Sequence, residues 1–375
     1  MKYKLTVSCA VLAAVLVLPA TASHATDEST SPGKVYTMDN SVAGNNVLIF
    51  NRATDGVLSL AGAVATGGKG TGTGLGSQSA LILSANRQWL FACNAGSDEI
   101  SVFAVTPSGL VLTDKVSTEG KQPISLTLRC NLLYVLNAGG AEGDKDNVTG
   151  FIFADGQLTH FAGSTRSLSA DNTGPAQVSF SADGGNLIVT EKATGIIDIY
   201  TVDDDGSLDQ HKTFPSPVPT PFGFAVGRND RIFVSEANGG AAEASSVSSY
   251  EISDSGDLTS ISAAVPTTES AACWVVLTRN QRFIYTSNTG SGTISGYFVN
   301  DEGQLFLLNP GGVTGNTGTG SHPIDLALSK DSGFLYSLNS GTGTISAFGV
   351  NSNGALQPLP GVGGIPSGAT GLAAY

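Results

Sequence analysis

Residues 324–356 run Ile324-Asp325-Leu326-Ala327-Leu328, Ser329-Lys330-Asp331-Ser332-Gly333, Phe334-Leu335-Tyr336-Ser337-Leu338-Asn339, then Gly341-Thr342-Gly343, Thr344-Ile345-Ser346-Ala347-Phe348 and Gly354-Ala355-Leu356. Short runs rich in Ile, Leu, Tyr and Phe, punctuated by Gly, Asn and Asp, are the pattern of strands joined by tight turns. The unit is an apolar strand, a polar turn, a strand ending in aromatic-x-x-Asn, a Gly/Ser/Thr turn, an alternating strand, and a Gly-x-Leu turn opening an outer strand. That last turn recurs at Gly56, Gly109 (as Gly-Leu-Val), Gly156, Gly206, Gly256, Gly303 and Gly354, at spacings of 47 to 53 residues. Such a period marks a repeat architecture. No 11-residue window carries helical periodicity. The expected fold is all-β: a seven-bladed β-propeller of four-stranded antiparallel blades, since radial repetition leaves only short, protected edges.

The ends predict how the ring closes. Val35-Tyr36-Thr37-Met38 reads as the second strand of a first unit with no inner strand before it, and residues 367–375 read as an inner strand without a blade of its own. Pairing them would complete blade 1. In such blades the loops between blades and the loops after aromatic-x-x-Asn share one rim of the axial channel, and the Asp/Gly turns share the other. Loops on a rigid scaffold are the expected binding sites.

Lys2 and Lys4, the apolar run Val7 to Leu18 and the small residues around Ala20-Thr21-Ala22 or Ser23-His24-Ala25 have the form of a signal peptide. The expected organisation is a leader over 1–25 and one propeller over 26–375, secreted or periplasmic. The apolar run is too short to span a bilayer, so no membrane insertion is expected. The formal charge is −13, and loss of Lys2 and Lys4 takes it to −15. That acidity argues against nucleic acid or an anionic membrane as partner, and a monomer is expected. Cys93, Cys130 and Cys273 have neither metal-ligand spacing nor an even count, and are read as buried small hydrophobes, with one disulfide and a spare thiol as the alternative in an oxidising compartment. Neither metal nor cofactor is expected.

Phe91-Ala92-Cys93-Asn94, Tyr134-Val135-Leu136-Asn137, Tyr285-Thr286-Ser287-Asn288 and Tyr336-Ser337-Leu338-Asn339, with Gly174-Pro175-Ala176-Gln177, resemble the YVTN-type repeats of the seven-bladed propeller lactonase family. The resemblance covers essentially all of the chain after the leader. It implies enzymes that open or close lactone rings of sugar acids or carboxymuconate without a metal in the best-known cases, hence a small-molecule lactone or sugar-acid ligand. The family's His-x-His and Gly-Pro-Arg-His stretches correspond here to Gln122-Pro123-Ile124 and Gly174-Pro175-Ala176-Gln177, and its glutamate position is Lys192. The family's acid/base histidine and substrate-binding arginine are therefore not at the matching positions.

Laying the repeats over one another isolates two substitutions. Glu191 and Glu236 stand where other blades carry Asn94, Asn137, Asn288 and Asn339. A close pair of carboxylates facing the channel would supply an acid and a base; the alternative is a salt bridge from Glu191 to Lys192, or a turn cap. His322, before Pro323, is the one histidine outside the leader expected on that rim and is a candidate base, or a solvated loop residue. Lys192 and the four asparagines are candidate substrate ligands, although Asn at this place also suits a bond to its own turn. The stretches Gly67 to Gly76 and Gly311 to Gly320 match no phosphate-binding pattern and are expected to be mobile rim loops, with a lid across the channel as one use. The leading expectation is an exported lactonase-like enzyme using Glu191, Glu236 and His322. The competing one is a non-catalytic extracellular propeller that binds a glycan, protein or small ligand.

Overall fold

A computed structural model describes residues 32–140 and 144–375; the expected leader lies outside the described residues. The chain forms seven antiparallel sheets arranged as a ring. From axis to periphery, blade 7 is Pro323–Leu328, Phe334–Asn339, Thr344–Val350 and Leu356–Gly363. Blade 4 (Pro175–Phe180, Asn186–Glu191, Ile196–Val202, Leu208–Pro215) and blade 5 (Pro221–Val226, Arg231–Glu236, Ser246–Ile252, Leu258–Pro266) repeat the same order. In blades 3 and 6 the outer strand is broken, as Gln157–His160 plus Arg166–Ser167 and Leu305–Leu307 plus Gly315–Asn316. A single turn of 3-10 helix, Asn238–Gly240, interrupts the β structure. Among the described residues no helix is long and apolar enough to cross a membrane.

Closure is by the last strand. Thr370–Ala374 pairs antiparallel with Gly33–Met38, setting Val35 opposite Ala374 and Thr37 opposite Leu372. Blade 1 is thus built from both ends of the described chain.

The two halves of the repeat signature meet across blade boundaries. The Tyr134 hydroxyl of blade 3 donates to Gly206 O at 2.8 Å, Tyr285 of blade 6 to Gly354 O at 2.8 Å, and Tyr336 of blade 7 to Gly56 O at 2.9 Å. Each tyrosine is fully buried, so its hydroxyl needs such a partner. Gly56 shows why the turn wants glycine. Its φ of 86° is in the left-handed region, and a Cβ there would lie 2.3 Å from the Phe334 ring. The leucine after each turn, such as Leu208 and Leu356, then packs into the apolar layer between blades.

Cys93 and Cys273 are buried and free, as the composition suggested. Cys130 is a correction: it is exposed in the turn before Leu132–Ala138, at φ 53°, and is not among the free thiols. It occupies the two-residue hairpin between Pro123–Arg129 and Leu132–Ala138, where the chain is open to solvent.

Candidate functional site

In blades 3, 4 and 7 the inner strand begins with a bulge, and the residue after the bulge ties its blade to the next. In blade 3 this is Ser125, whose Oγ accepts from Val178 N at 3.1 Å. In blade 4, Gln177 accepts from Phe224 N at 2.7 Å and donates to Phe224 O at 3.0 Å. In blade 7, Asp325 Oδ1 accepts from its own strand at Leu326 N, 2.8 Å, and from Leu372 N in blade 1.

Blade 5 has Gly223 at this place, with no side chain to offer. The gap is filled from elsewhere. A Cβ on Gly223 would lie 2.1 Å from Gln78 Oε1, and Gln78 makes the missing bridge itself. It accepts from Val275 N at 2.9 Å and donates to Val275 O at 2.8 Å, in blade 6. Gln78 N donates to Ala176 O in blade 4, and Leu126 N in blade 3 donates to Ser79 O. Ser77 O accepts from Trp274 Nε1 at 2.9 Å, while Ser77 Oγ donates to Ile124 O at 2.7 Å. Partners on blades 3, 4 and 6 place residues 77–79 across the axis as a plug.

This corrects the expectation of a mobile loop over Gly67 to Gly76. The segment does lie across the channel, but it is fastened along its length. Asn40 donates to Thr73 O and accepts from Thr71 N, Gly72 N donates to Asn40 O, and Gly96 N donates to Lys69 O. Glycine supplies close backbone approach here: a Cβ on Gly70 would be 2.1 Å from the Asn40 carbonyl. The stretch from Gly311 to Gly320 is likewise tied, through Thr314 N to Ile294 O and Thr317 N to Gly292 O.

On the Asp/Gly-turn side of the plug the channel holds a cavity of about 230 Å³. Gln78, Ser79 and Asp325 give it polar walls; Leu81, Leu372 and Ala374 are among its apolar ones. Asp325 is 2% exposed. Its Oδ1 carries the backbone bonds and its Oδ2 has no partner. Burial pushes the carboxyl well above the usual carboxylate range, against the smaller opposing pull of the Leu326 and Leu372 amides. Oδ2 is thus a buried carboxyl oxygen without a partner in the wall of the cavity. Among the described residues no group of three or more His, Cys, Asp or Glu is placed to hold a metal.

The residues singled out by the repeat register lie elsewhere. Glu191 and Glu236 are both fully buried, but no hydrogen bond or charge coupling joins them. Glu236 accepts from the hydroxyls of Ser246 and Ser248 on the third strand of its own blade, and more distantly from Ser216 at 3.4 Å. Burial raises its pKa to about 6, opposed by those hydroxyls. Glu191 accepts from Ser169 N at 3.0 Å and from the hydroxyls of Ser169 and Thr194. Its carboxyl neighbour is Asp198, whose pKa rises to about 7 through burial and then Glu191, while His211 Nε2 at 2.8 Å pulls it down. Of the two alternative readings of Glu191, the turn contact is made, through Thr194, while the Lys192 ammonium bonds Gly76 O instead.

The asparagines occupy the same niches with the polarity reversed. Asn288 Nδ2 donates to Thr293 and Ser295, Asn339 to Thr344 and Ser346, Asn94 to Ser101 and Asn137 to Asn147. All four are fully buried. The acceptors of these amide N–H groups are third-strand side chains rather than the turn backbone. Lys192 is half-buried: its ammonium donates to Gly76 O and lies 4.8 Å from the centre of the Phe222 ring. Burial lowers its pKa to about 8. It clamps the plug from the opposite side to the cavity. His322 is exposed on the rim at φ 47°, with Nδ1 3.2 Å from Thr289 O. Asp325 was passed over because, read in sequence, it is one polar residue inside an apolar strand. The available signal was its place two residues after Pro323, where Ser125, Gln177 and Gly223 stand after Pro123, Pro175 and Pro221.

A family description for the seven-bladed β-propeller lactonases matches residues 38–142 and 239–362. No curated protein matches the chain. Among solved structures, the periplasmic gluconolactonase of Pseudomonas aeruginosa is 17% identical with a TM-score of 0.72, covering 92% of this chain and 99% of its own. A Lactobacillus plantarum protein is 18% identical with a TM-score of 0.72, covering 92% and 100%. At these identities the likeness to solved structures is one of fold.

Proposed function

Because the chain belongs to the seven-bladed β-propeller lactonase family, we propose that it hydrolyses a small lactone in the channel cavity, with Asp325 as the acid. The observation that carries this reading is the unpartnered Oδ2 of a buried carboxyl beside the cavity, whose pKa that burial pushes up. Glu191 and Glu236 are set aside as the acid/base pair, since their oxygens are already engaged by hydroxyls. His322 and the four asparagines take no part. Lys192 acts by holding the plug rather than by touching substrate. A sugar-acid lactone is the substrate class supported by the family and by the gluconolactonase of similar fold. With the leader-like segment of residues 1–25, export to the periplasm or beyond is part of the proposal.

Chemically, water attacks the lactone carbonyl carbon, the bond from that carbon to the ring oxygen breaks, and Asp325 gives its proton to the departing ring oxygen. The proton released by the attacking water returns to Asp325. The balance is lactone plus water to hydroxy acid. An acid positioned in this way contributes roughly 10²- to 10⁴-fold. The test is proton release on a panel of γ- and δ-lactones. Asp325→Asn keeps the acceptor for the Leu326 and Leu372 amides and should fold, yet lose at least about 100-fold in rate. Glu191→Gln and Glu236→Gln should keep most of it. An inactive wild type, or full activity in Asp325→Asn, overturns the proposal; ligand binding without turnover would support the non-catalytic reading.

A further inference from the structure

A second concave site lies away from the channel. Between blades 5 and 6, on the Asp/Gly-turn rim, a groove of about 570 Å³ is lined by Arg228 and Arg231 from one blade and Arg282 from the next, with Phe298 as an apolar wall. The concentration of charge is unusual for this chain. Its net charge is −13, yet four of its eight arginines fall in two equivalent turns, at 228, 231, 279 and 282.

The three arginines that line the groove are not neutralised. Among the described residues, Lys115, Lys121 and Lys212 pair with carboxylates, and none of these three arginines does. Asp301 and Glu302 also border the groove, but Asp301 engages Arg231 through its backbone carbonyl, at 2.6 Å from Nη1. Arg231 Nε is buried with no partner. Arg228 and Arg282 are exposed, and the Arg282 guanidinium lies 5.6 Å from the Phe298 ring centre. A guanidinium offers a planar fork of donors that matches carboxylate or phosphate, and it stacks on aromatic faces. Arg231 Nε, buried and without a partner, is the one donor here whose desolvation is uncompensated, and the exposed guanidinium groups of Arg228 and Arg282 leave their forks free for an anion.

We propose that this groove binds a small ligand carrying a carboxylate or phosphate group. Arg228 and Arg282 grip the acid group from opposite walls, and the body of the ligand lies against Phe298. The site is separate from the channel and does not depend on the lactonase reading.

The test is titration calorimetry on the full-length protein with gluconate, glucose 6-phosphate, inorganic phosphate and neutral glucose. The acid-bearing ligands should bind and glucose should not, and affinity should fall with added salt. The gluconate and phosphate arms identify which acid group is preferred. Arg228→Gln and Arg282→Gln, both at exposed positions, should each weaken binding at least tenfold with unchanged melting temperature, whereas Asp325→Asn should leave it intact. No anion binding by wild type, binding unchanged by both arginine substitutions, or binding lost in Asp325→Asn would overturn the proposal. A failed lactone assay alone leaves it standing.

Discussion

Glu236 shows how a residue's neighbours decide what its charge does. Its carboxylate sits where Asn288 and Asn339 sit in blades 6 and 7, and it is held by the same kind of third-strand hydroxyls. Only the direction of the bonds is reversed. Burial outweighs those bonds and raises its pKa from 4.5 to about 6. The folded state therefore binds this proton more tightly than the unfolded chain. The resulting stabilisation is complete below the unfolded value and is lost as pH rises through about 6, a difference of about 2 kcal/mol between the two limits. Glu236→Gln, neutral at every pH, should then be more stable than wild type at pH 8, and should show a smaller gain on acidification to pH 5. Urea denaturation at the two pH values checks this; a variant less stable at pH 8 would show that the carboxylate contributes more than it costs. From sequence the replacement of Asn by Glu was plain. That each glutamate faces serines and threonines rather than its twin was not, because those partners come from other segments, a third strand for Glu236 and an inter-blade connection and turn for Glu191, whose register the chain order leaves open.

At the scale of the element, the plug is the least expected feature. The run from Gly67 to Gly76 has the composition of a flexible loop, and composition alone predicts mobility. What holds it is a vacancy three blades' worth of chain away in sequence, at Gly223, into which the Gln78 amide fits. Gly223→Ala should clash with Gln78 Oε1 and the Cys273 carbonyl, and cost about 1–3 kcal/mol as an overpacking change. Gln78→Ala should cost about 1–3 kcal/mol through the stranded Val275 amide and carbonyl. Since the two residues share one space, the double variant should be more stable than the sum of the single changes by about 1 kcal/mol or more. Additive effects in chemical denaturation would separate the two residues and remove the plug's anchor. Inner strands themselves were legible, as was the bulge residue's position once blades were aligned. The bridge it makes to the next blade was not.

For the whole molecule, stability is that of a closed ring. Every blade is covered by two neighbours, and the pairing of Thr370–Ala374 with Gly33–Met38 is what gives blades 1 and 7 theirs. Removing residues 367–375 strips the inner strand from blade 1, exposes the apolar cluster around Leu372 and Ala369, and leaves Asp325 without the Leu372 amide. Loss of that much buried surface should lower the melting temperature by at least about 10 °C. An unchanged thermal transition would mean that closure is made elsewhere. The repeat period, the Gly-x-Leu turns and the unpaired strand at each end determined the fold from sequence alone, because strand periodicity and turn chemistry are local. Even the lock from Tyr336 to Gly56 was implicit in the recurrence of both motifs. The site was decided only by the tertiary structure. Asp325, Gln78, Gly223 and Val275 belong to four different blades or their connections, and Arg228 and Arg282 to two. Their chemistry arises from distance, burial and a missing side chain, which are properties of the closed ring and not of any one repeat.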